Sequence, residues 1–294
     1  FTTDTTWKNV LDYSTFLKKL RESGKDVPYG YAQHHGNFAW TTQLDIQRMM
    51  FAHGRWLDWE IDDKLGSKTP PPSNWGDEQS VLLMQKHKDI ADVCHPDNLA
   101  NGTLELNTVY QAGDIAMQVQ YHEFCASIED PGTSKAAGGK TAYAACPKGE
   151  PSWIVNGGPA VNGTNCGIGG IGINGNASED VQRAAYIFCV YATSGDLQYD
   201  VLKGMGGTPT RKSVLERADV KAARSRPTTM PNALTFDAVY DHGIKDPHFV
   251  LGPKVPEGNE YHSIMASEVQ RCVAGEISAQ EACDNIKDGI DDLH

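Results

Sequence analysis

Positive charge is scarce in this chain. Its 294 residues carry 26 Lys and Arg against 38 Asp and Glu, a formal net charge of −12. No basic block offsets that total, so nucleic acid is excluded as a partner. Long apolar runs are lacking as well. The longest, Ala184 to Ala192, has nine residues, far short of the roughly 20 that a spanning helix requires, and the chain is not expected to cross a membrane. The seven cysteines form no CxxC pair, which removes zinc ribbons and thioredoxin-like motifs. There is no GxSxG, and His122-Glu123 lacks the second histidine of HExxH, so neither a nucleophile elbow nor a zincin helix is present. Phe1 is not a start methionine and no leader follows it. The expectation is a processed, trimmed or partial chain whose signal peptide has been removed.

The composition that remains, 39% hydrophobic and 9% aromatic, suits a globular protein with room for two domains or one large one. Two glycine patterns imitate nucleotide sites. Gly167-Ile168-Gly169-Gly170-Ile171-Gly172 spells GxGxxG, but no clear strand precedes it and the next helix begins too late. Gly138-Gly139-Lys140-Thr141 lacks the leading glycine of a phosphate loop, whose place Ser134 occupies. No cofactor is expected, and the chain reads as a non-enzyme. Asn101, Asn162 and Asn176 head glycosylation sequons, which mark surface turns unless the source is a eukaryotic secretory pathway.

Hydrophobic periodicity predicts an α/β order. Thr6 caps a helix carrying Val10, Tyr13, Phe16, Leu17 and Leu20, and Gly24 stops it. Val27 to Ala32 reads as a strand, about Thr42 to His53 as a helix, and Asp77 to Val93 as another. A helix to Tyr110 and a turn precede a strand in which Ile115, Met117, Val119 and Tyr121 alternate with polar residues. Residues 127 to 166 are mostly loop, and Gly167 to Ile173 a strand. Ser178 caps an apolar helix in which Cys189 is a buried small hydrophobe. Ile264 to Ala274 and Ser278 to Leu293 form a helical hairpin around Gly275. Within it, Cys272 and Cys283 are placed where a disulfide can close, as an oxidising compartment would allow.

Polar and aromatic residues collect at predicted strand ends: His34, His35, Asn37, Trp40, Tyr121, His122, Glu123, Tyr261 and His262. Ligands of α/β proteins bind at the carboxyl ends of strands. Planar rings beside amides, imidazoles and carboxylates suit a sugar or polyol. Each residue equally suits a surface or capped core position, and the histidines (His34, His35, His122 and His262, with Glu123) also suit a captured transition metal.

An ordered set of segments carries a resemblance. Thr6-Trp7-Lys8, Tyr29-Gly30-Tyr31, Val109 to Met117, Gly206 to Ser213, and Glu260-Tyr261-His262 ahead of the Gly275/Ser278/Glu281 hairpin follow one another along the chain. Together they resemble the extracellular solute-binding proteins of ABC importers, of the maltose-binding-like sugar and polyol group. The resemblance implies periplasmic-binding-protein-like lobes closing on a ligand by a hinge. The family's first stretch, most of its N-terminal lobe, has no counterpart here. Residues 1–170 and 218–294 then belong to the C-terminal lobe, and 171–217 to the returning strip of the other. Cleft positions fall near His35 and Asn37, on Tyr121, His122 and Glu123, around Gly169 and Gly170, near Arg211 (a ligand contact or a lobe-tying salt bridge), and on Tyr261 and His262. Glu123 and His262 stand where sugar binders often carry tryptophan, which favours a smaller, more polar ligand. The 151–166 stretch matches no part of the family pattern.

The implied function is a periplasmic or extracellular receptor, free or membrane-anchored, that delivers a small polar solute to the membrane subunits of an importer. Alternatives are an accessory subunit built on a solute-binding lobe, or a metal-capturing receptor. The helix 178–192 should expose an apolar face that another polypeptide covers, either the absent lobe or a partner chain.

Overall fold

Thr6 sets the first helix as expected. In this computed structural model its side chain accepts from the Asn9 amide while the Asn9 side chain accepts from the Thr6 N–H, a reciprocal cap that opens α1 (Trp7–Glu22). The structure describes residues 2, 4–36, 42, 44–55, 75–155, 157–165, 169–239, 249–250 and 257–293. The stripe that α1 buries is Trp7, Val10, Ser14 and Leu17, whereas Tyr13 and Phe16 face outward. The inclusion of Ser14 has a steric reason. Strand β1 (Tyr29–Tyr31) passes so close that a Cβ on Gly30 would sit 2.3 Å from the Ser14 Cα, so only small residues fit on both sides.

Helices predominate. α2 (Leu44–Ala52), α3 (Glu78–Ala91) and α4 (Thr103–Ala112) precede β2 (Ile115–Met117), and α5 (Cys125–Glu129) leads into a long turn-rich stretch. β3 (Thr164–Asn165) comes next, followed by α6 (Glu179–Ala192), α7 (Gly195–Met205), α8 (Lys212–Leu215), α9 (Ala218–Ala222) and α10 (Phe236–Val239). β4 (Phe249–Val250), α11 (Gly258–Val273) and α12 (Ala279–Asp291) complete the order. β1 pairs with β2 and β3 with β4, both in parallel, as two-stranded sheets. No described helix is long and apolar enough to cross a membrane.

α2 is buried on every side, the mark of a helix enclosed by its own lobe. Around it α1, α3, α11 and α12 build the main core, which includes Trp7, Met50, Leu83, Tyr261, Met265 and Ile286. Each fully buried aliphatic side chain contributes about 1.5–3 kcal/mol. The terminal hairpin follows its predicted caps. Ser278 Oγ accepts from the Glu281 amide at 3.1 Å, and Gly275 takes a φ of 78°. A second cluster joins Leu202 and Leu215 to Val220, Met230 and Phe236, thereby spanning residues on both sides of the expected 217/218 boundary.

Four local expectations are corrected. The alternating strand stops at Met117 and does not reach Tyr121, because β1 offers a ladder partner only from Tyr29↔Ile115 to Tyr31↔Met117. Residues 169–173 are exposed coil, not strand, while the paired strand lies just before at Thr164–Asn165; a glycine run has little side chain to bury. Cys189 is not buried but half-exposed, since no residue of α6 is buried in this chain. Cys272 and Cys283 are free thiols, both buried in the one core cluster that α11 and α12 share.

Candidate ligand-binding site

Because β1 and β2 run parallel in register, the segments that leave them emerge at the same sheet edge. One is Ala32 to Gly36; the other is Gln118 to Phe124. The first carries His34 and His35, the second Tyr121, His122 and Glu123.

The first segment turns inward. His34 donates its amide to Asp45 Oδ2 at 3.0 Å, and its Nδ1 lies 3.3 Å from the same oxygen. Arg48 Nη1 donates to Asp45 Oδ1 at 2.8 Å, with both side chains inaccessible. Burial works against the Asp45 carboxylate, but His34 and Arg48 more than offset it and hold the group below the usual carboxylate range. Gln33 bridges two more imidazoles: its Oε1 accepts from His35 Nε2 at 3.1 Å, and its Nε2 donates to His87 Nδ1 at 3.2 Å. The His35 and His87 rings meet edge to face, 5.0 Å between centroids. Burial, with His87 alongside, pulls the His35 pKa down to about 3, and burial pulls His87 down to about 4. Both rings are therefore neutral near pH 7. One ring nitrogen each of His34 and His87 is buried with no hydrogen-bond partner.

The second segment stays nearer the surface. Tyr121 is half-buried, and its phenol stands close enough to Arg48 to help raise the guanidinium pKa, so the two strand ends do converge. His122, its pKa lowered by burial, hydrogen-bonds through Nε2 to the Thr208 hydroxyl. Glu123 is exposed, and its carbonyl accepts from Asn232 Nδ2 at 3.5 Å. Asn232 Oδ1 in turn accepts from the Ala126 amide at 2.8 Å. Gly206 makes this junction possible. Its φ is +74°, and a Cβ there would lie 2.7 Å from that of Ala126. The segment that enters α8 is thus pinned to the sheet edge.

The other predicted positions are dispersed. Tyr261 and His262 lie on the buried face of α11, where the Tyr261 hydroxyl accepts from Trp75 Nε1 at 3.4 Å and burial lowers the His262 pKa to about 4. α11 reaches the edge through Gln270, whose Nε2 donates to the His35 carbonyl at 2.6 Å. Gly169 and Gly170 are exposed, with nothing within 4 Å of a Cβ built on either. Arg211 Nε donates to the Thr193 carbonyl, which ties α8 to the end of α6. Asn37 and Trp40 lie outside the described residues. Asp45, Arg48, Gln33 and His87 were not anticipated. Two opposite charges three residues apart, in a helix whose other residues except Gln47 are apolar, were the available signal. Among the described residues, no group of three or more His, Cys, Asp or Glu is arranged to hold a metal ion.

The arrangement has hydrogen-bonding side chains at the carboxyl edge of a parallel sheet, an aromatic at its rim and a glycine-dependent junction beside it. A search of curated protein sequences returned no match. Among solved structures, the chain is similar to an ABC transporter solute-binding protein of Agrobacterium radiobacter in complex with ribitol. The TM-score is 0.74 at 20% identity, covering 99% of this chain and 65% of that one. It is also similar to maltose-bound MalE3 of T. maritima, with a TM-score of 0.74 at 16% identity over 99% and 66% of the two chains. A D-mannitol-bound solute-binding protein of Agrobacterium vitis gives 0.64 at 18% identity, covering 100% and 66%. The chain thus spans about two thirds of the length of these solved structures, and they share its periplasmic-binding-protein-like fold. The family description "bacterial extracellular solute-binding protein" matches residues 2–228, and the chain belongs to that family.

Proposed function

We propose that this chain is the larger part of a receptor that captures a small sugar or polyol outside the cytoplasm and presents it to the membrane subunits of an ABC importer. The observation that carries the reading is the fold match over 99% of the chain to a ribitol-bound solute-binding protein, joined to the family assignment. On this reading the ligand meets the sheet edge where Tyr121, His122 and Glu123 emerge. The chain binds and releases, with no chemistry on the solute. Asn37, Trp40, Gly169, Gly170 and Arg211 are proposed as further contacts of that ligand, and His35, Tyr261 and His262 support the edge from behind. Residues 1–170 and 218–294 form the ligand-facing C-terminal lobe, with 171–217 returning to the other lobe.

The bare face of α6 belongs to the same reading. Val181, Tyr186, Ile187, Phe188, Val190 and Tyr191 are each more than half exposed, in a chain about two thirds as long as its solved relatives. The remaining third of a full-length receptor covers this face. The same observation supports a second reading, an accessory subunit whose α6 packs on a different chain.

The deciding experiment is thermal unfolding of the full-length protein against a panel that includes ribitol, mannitol, tagatose and maltose. A receptor gains RT ln(1+[L]/Kd), about 2.7 kcal/mol when ligand exceeds Kd a hundredfold. A panel that produces no shift, with α6 protected by a second chain, overturns the receptor in favour of the accessory subunit.

A further inference from the structure

A cavity of about 280 Å³ lies between α1, the end of α3 and the turn that follows, lined by Lys18, Arg21, Tyr29, Asp92 and His95 among others. It includes none of the residues assigned above to the solute site. In this acidic chain most cations meet a carboxylate, as Lys8 does Asp12, Lys86 does Asp89 and Arg226 does Glu129. Lys18 and Arg21 do not. Lys18 Nζ donates to the Asp92 carbonyl at 3.1 Å, and Arg21 Nη1 donates to the Pro28 carbonyl at 3.1 Å. The Arg21 guanidinium also lies 3.6 Å from the centroid of the Tyr29 ring. One donor of each cation is thus engaged and the rest are uncommitted.

His95 adds a third donor. Its Nδ1 accepts from the Asp97 amide at 3.3 Å, which leaves the proton of the neutral ring on Nε2. The Tyr29 ring also meets the His95 ring edge to face, 4.9 Å between centroids, so three side chains of the cavity wall brace one another before anything enters. The opposing charge is Asp92, whose oxygens are taken by Lys88 at 3.0 and 3.1 Å; Asp97 is largely exposed.

We propose that this cavity binds a small oxyanion, a carboxylate or a phosphate, as a second site independent of the solute site. Arg21 is its principal contact, because a guanidinium fork matches the paired oxygens of either group. Stacking on Tyr29 and the bond to Pro28 preorganise that fork, so little side-chain freedom is lost on binding. Lys18 contributes a point charge and His95 the N–H of its Nε2. A bound anion would link α1 to the corner after α3.

The test is an NMR titration of the full-length protein with inorganic phosphate and, separately, succinate, at fixed ionic strength. The readout is the His95 ring resonance, assigned by its loss in His95→Asn. The expected result is a saturable shift that weakens at least tenfold in Arg21→Gln and in Lys18→Gln. Lys19→Gln, one exposed position away, should leave it unchanged. Saturation by phosphate alone or by both probes supports the site and separates the two sources. A linear shift shared by all variants means an adventitious ion only, and it overturns the proposal, as does unchanged affinity in both glutamine variants. Lys18→Gln retains the Arg21–Tyr29 stack, so a folding defect in Arg21→Gln still leaves the question answerable. Polyol binding should be unaffected throughout.

Discussion

Replacing Asp45 by Asn is the sharpest probe of how the sheet edge is held. The substitution keeps the shape of the side chain and removes one charge. In the native chain that charge accepts the His34 amide at 3.0 Å and Arg48 Nη1 at 2.8 Å, in a place no solvent reaches. Asparagine can still accept one of these bonds, but it leaves the Arg48 guanidinium buried without its carboxylate. Breaking a buried pair from one side costs about 3–5 kcal/mol, far more than the pair itself is worth. At about 2–4 °C per kcal/mol for a chain of this size class, Tm should fall by roughly 6–20 °C. The assay is urea unfolding at pH 7.5, checked by calorimetry. The companion variant, Asp45→Asn with Arg48→Met, removes the stranded charge and should recover most of the loss. A single-variant cost below about 1 kcal/mol, or a double variant no better than the single, would refute the claim that a desolvated ion pair organises this edge.

Acid should weaken the lobe through the neighbouring imidazoles. His35 and His87, at about 3 and about 4, bind protons in the unfolded chain near pH 6.5 but not in the folded one. Stability is then full above pH 6.5 and falls as pH drops toward 4, by about 2 kcal/mol per imidazole at pH 5; urea midpoints at pH 7.5, 6 and 5 that do not move would count against it. Gly206→Ala forces a β-carbon onto a φ of +74° and into Ala126. The expected cost is about 2–4 kcal/mol, with weaker solute binding by calorimetry, whereas Gly204→Ala, where nothing lies within 4 Å, should be neutral or stabilising. Ile187→Ser, at 69% exposure in this chain, should nonetheless cost the full-length protein more than about 1.5 kcal/mol in urea. A change within about 0.5 kcal/mol, the usual surface value, would show the face of α6 uncovered.

Much of the helical fold was legible because its signals are local. Thr6 with Asn9, and Ser278 with Glu281, cap helices within one turn, and apolar spacing carried the hairpin that follows. Strand lengths were not legible. The alternation through Tyr121 is real in the sequence, yet a ladder ends where its partner ends, and that partner lies 86 positions upstream at its first pair. The candidate edge was half visible: both strands of the parallel pair were expected, but the second ends at Met117, and Tyr121 and His122 follow in the segment beyond it. What fastens them there, Thr208 to His122 and Asn232 to Ala126, comes from 86 and 106 residues away, and no periodicity reports such pairings. His35 and Tyr261 show the opposite limit. Their residue types suit a ligand, but burial places them in the interior behind the edge.

The way the main core is stitched has a consequence for biogenesis. Trp75 meets Tyr261 across 186 residues, and the His35 carbonyl meets Gln270 across 235. Synthesis proceeds from the N-terminus at about 5–20 residues per second, so the early helices wait many seconds for α11 and α12 to complete their core. Such distant closures also make folding intrinsically slow. For a member of an extracellular family, that delay is useful. A chain whose first half cannot lock until its last helices arrive stays open and threadable until its synthesis is nearly complete.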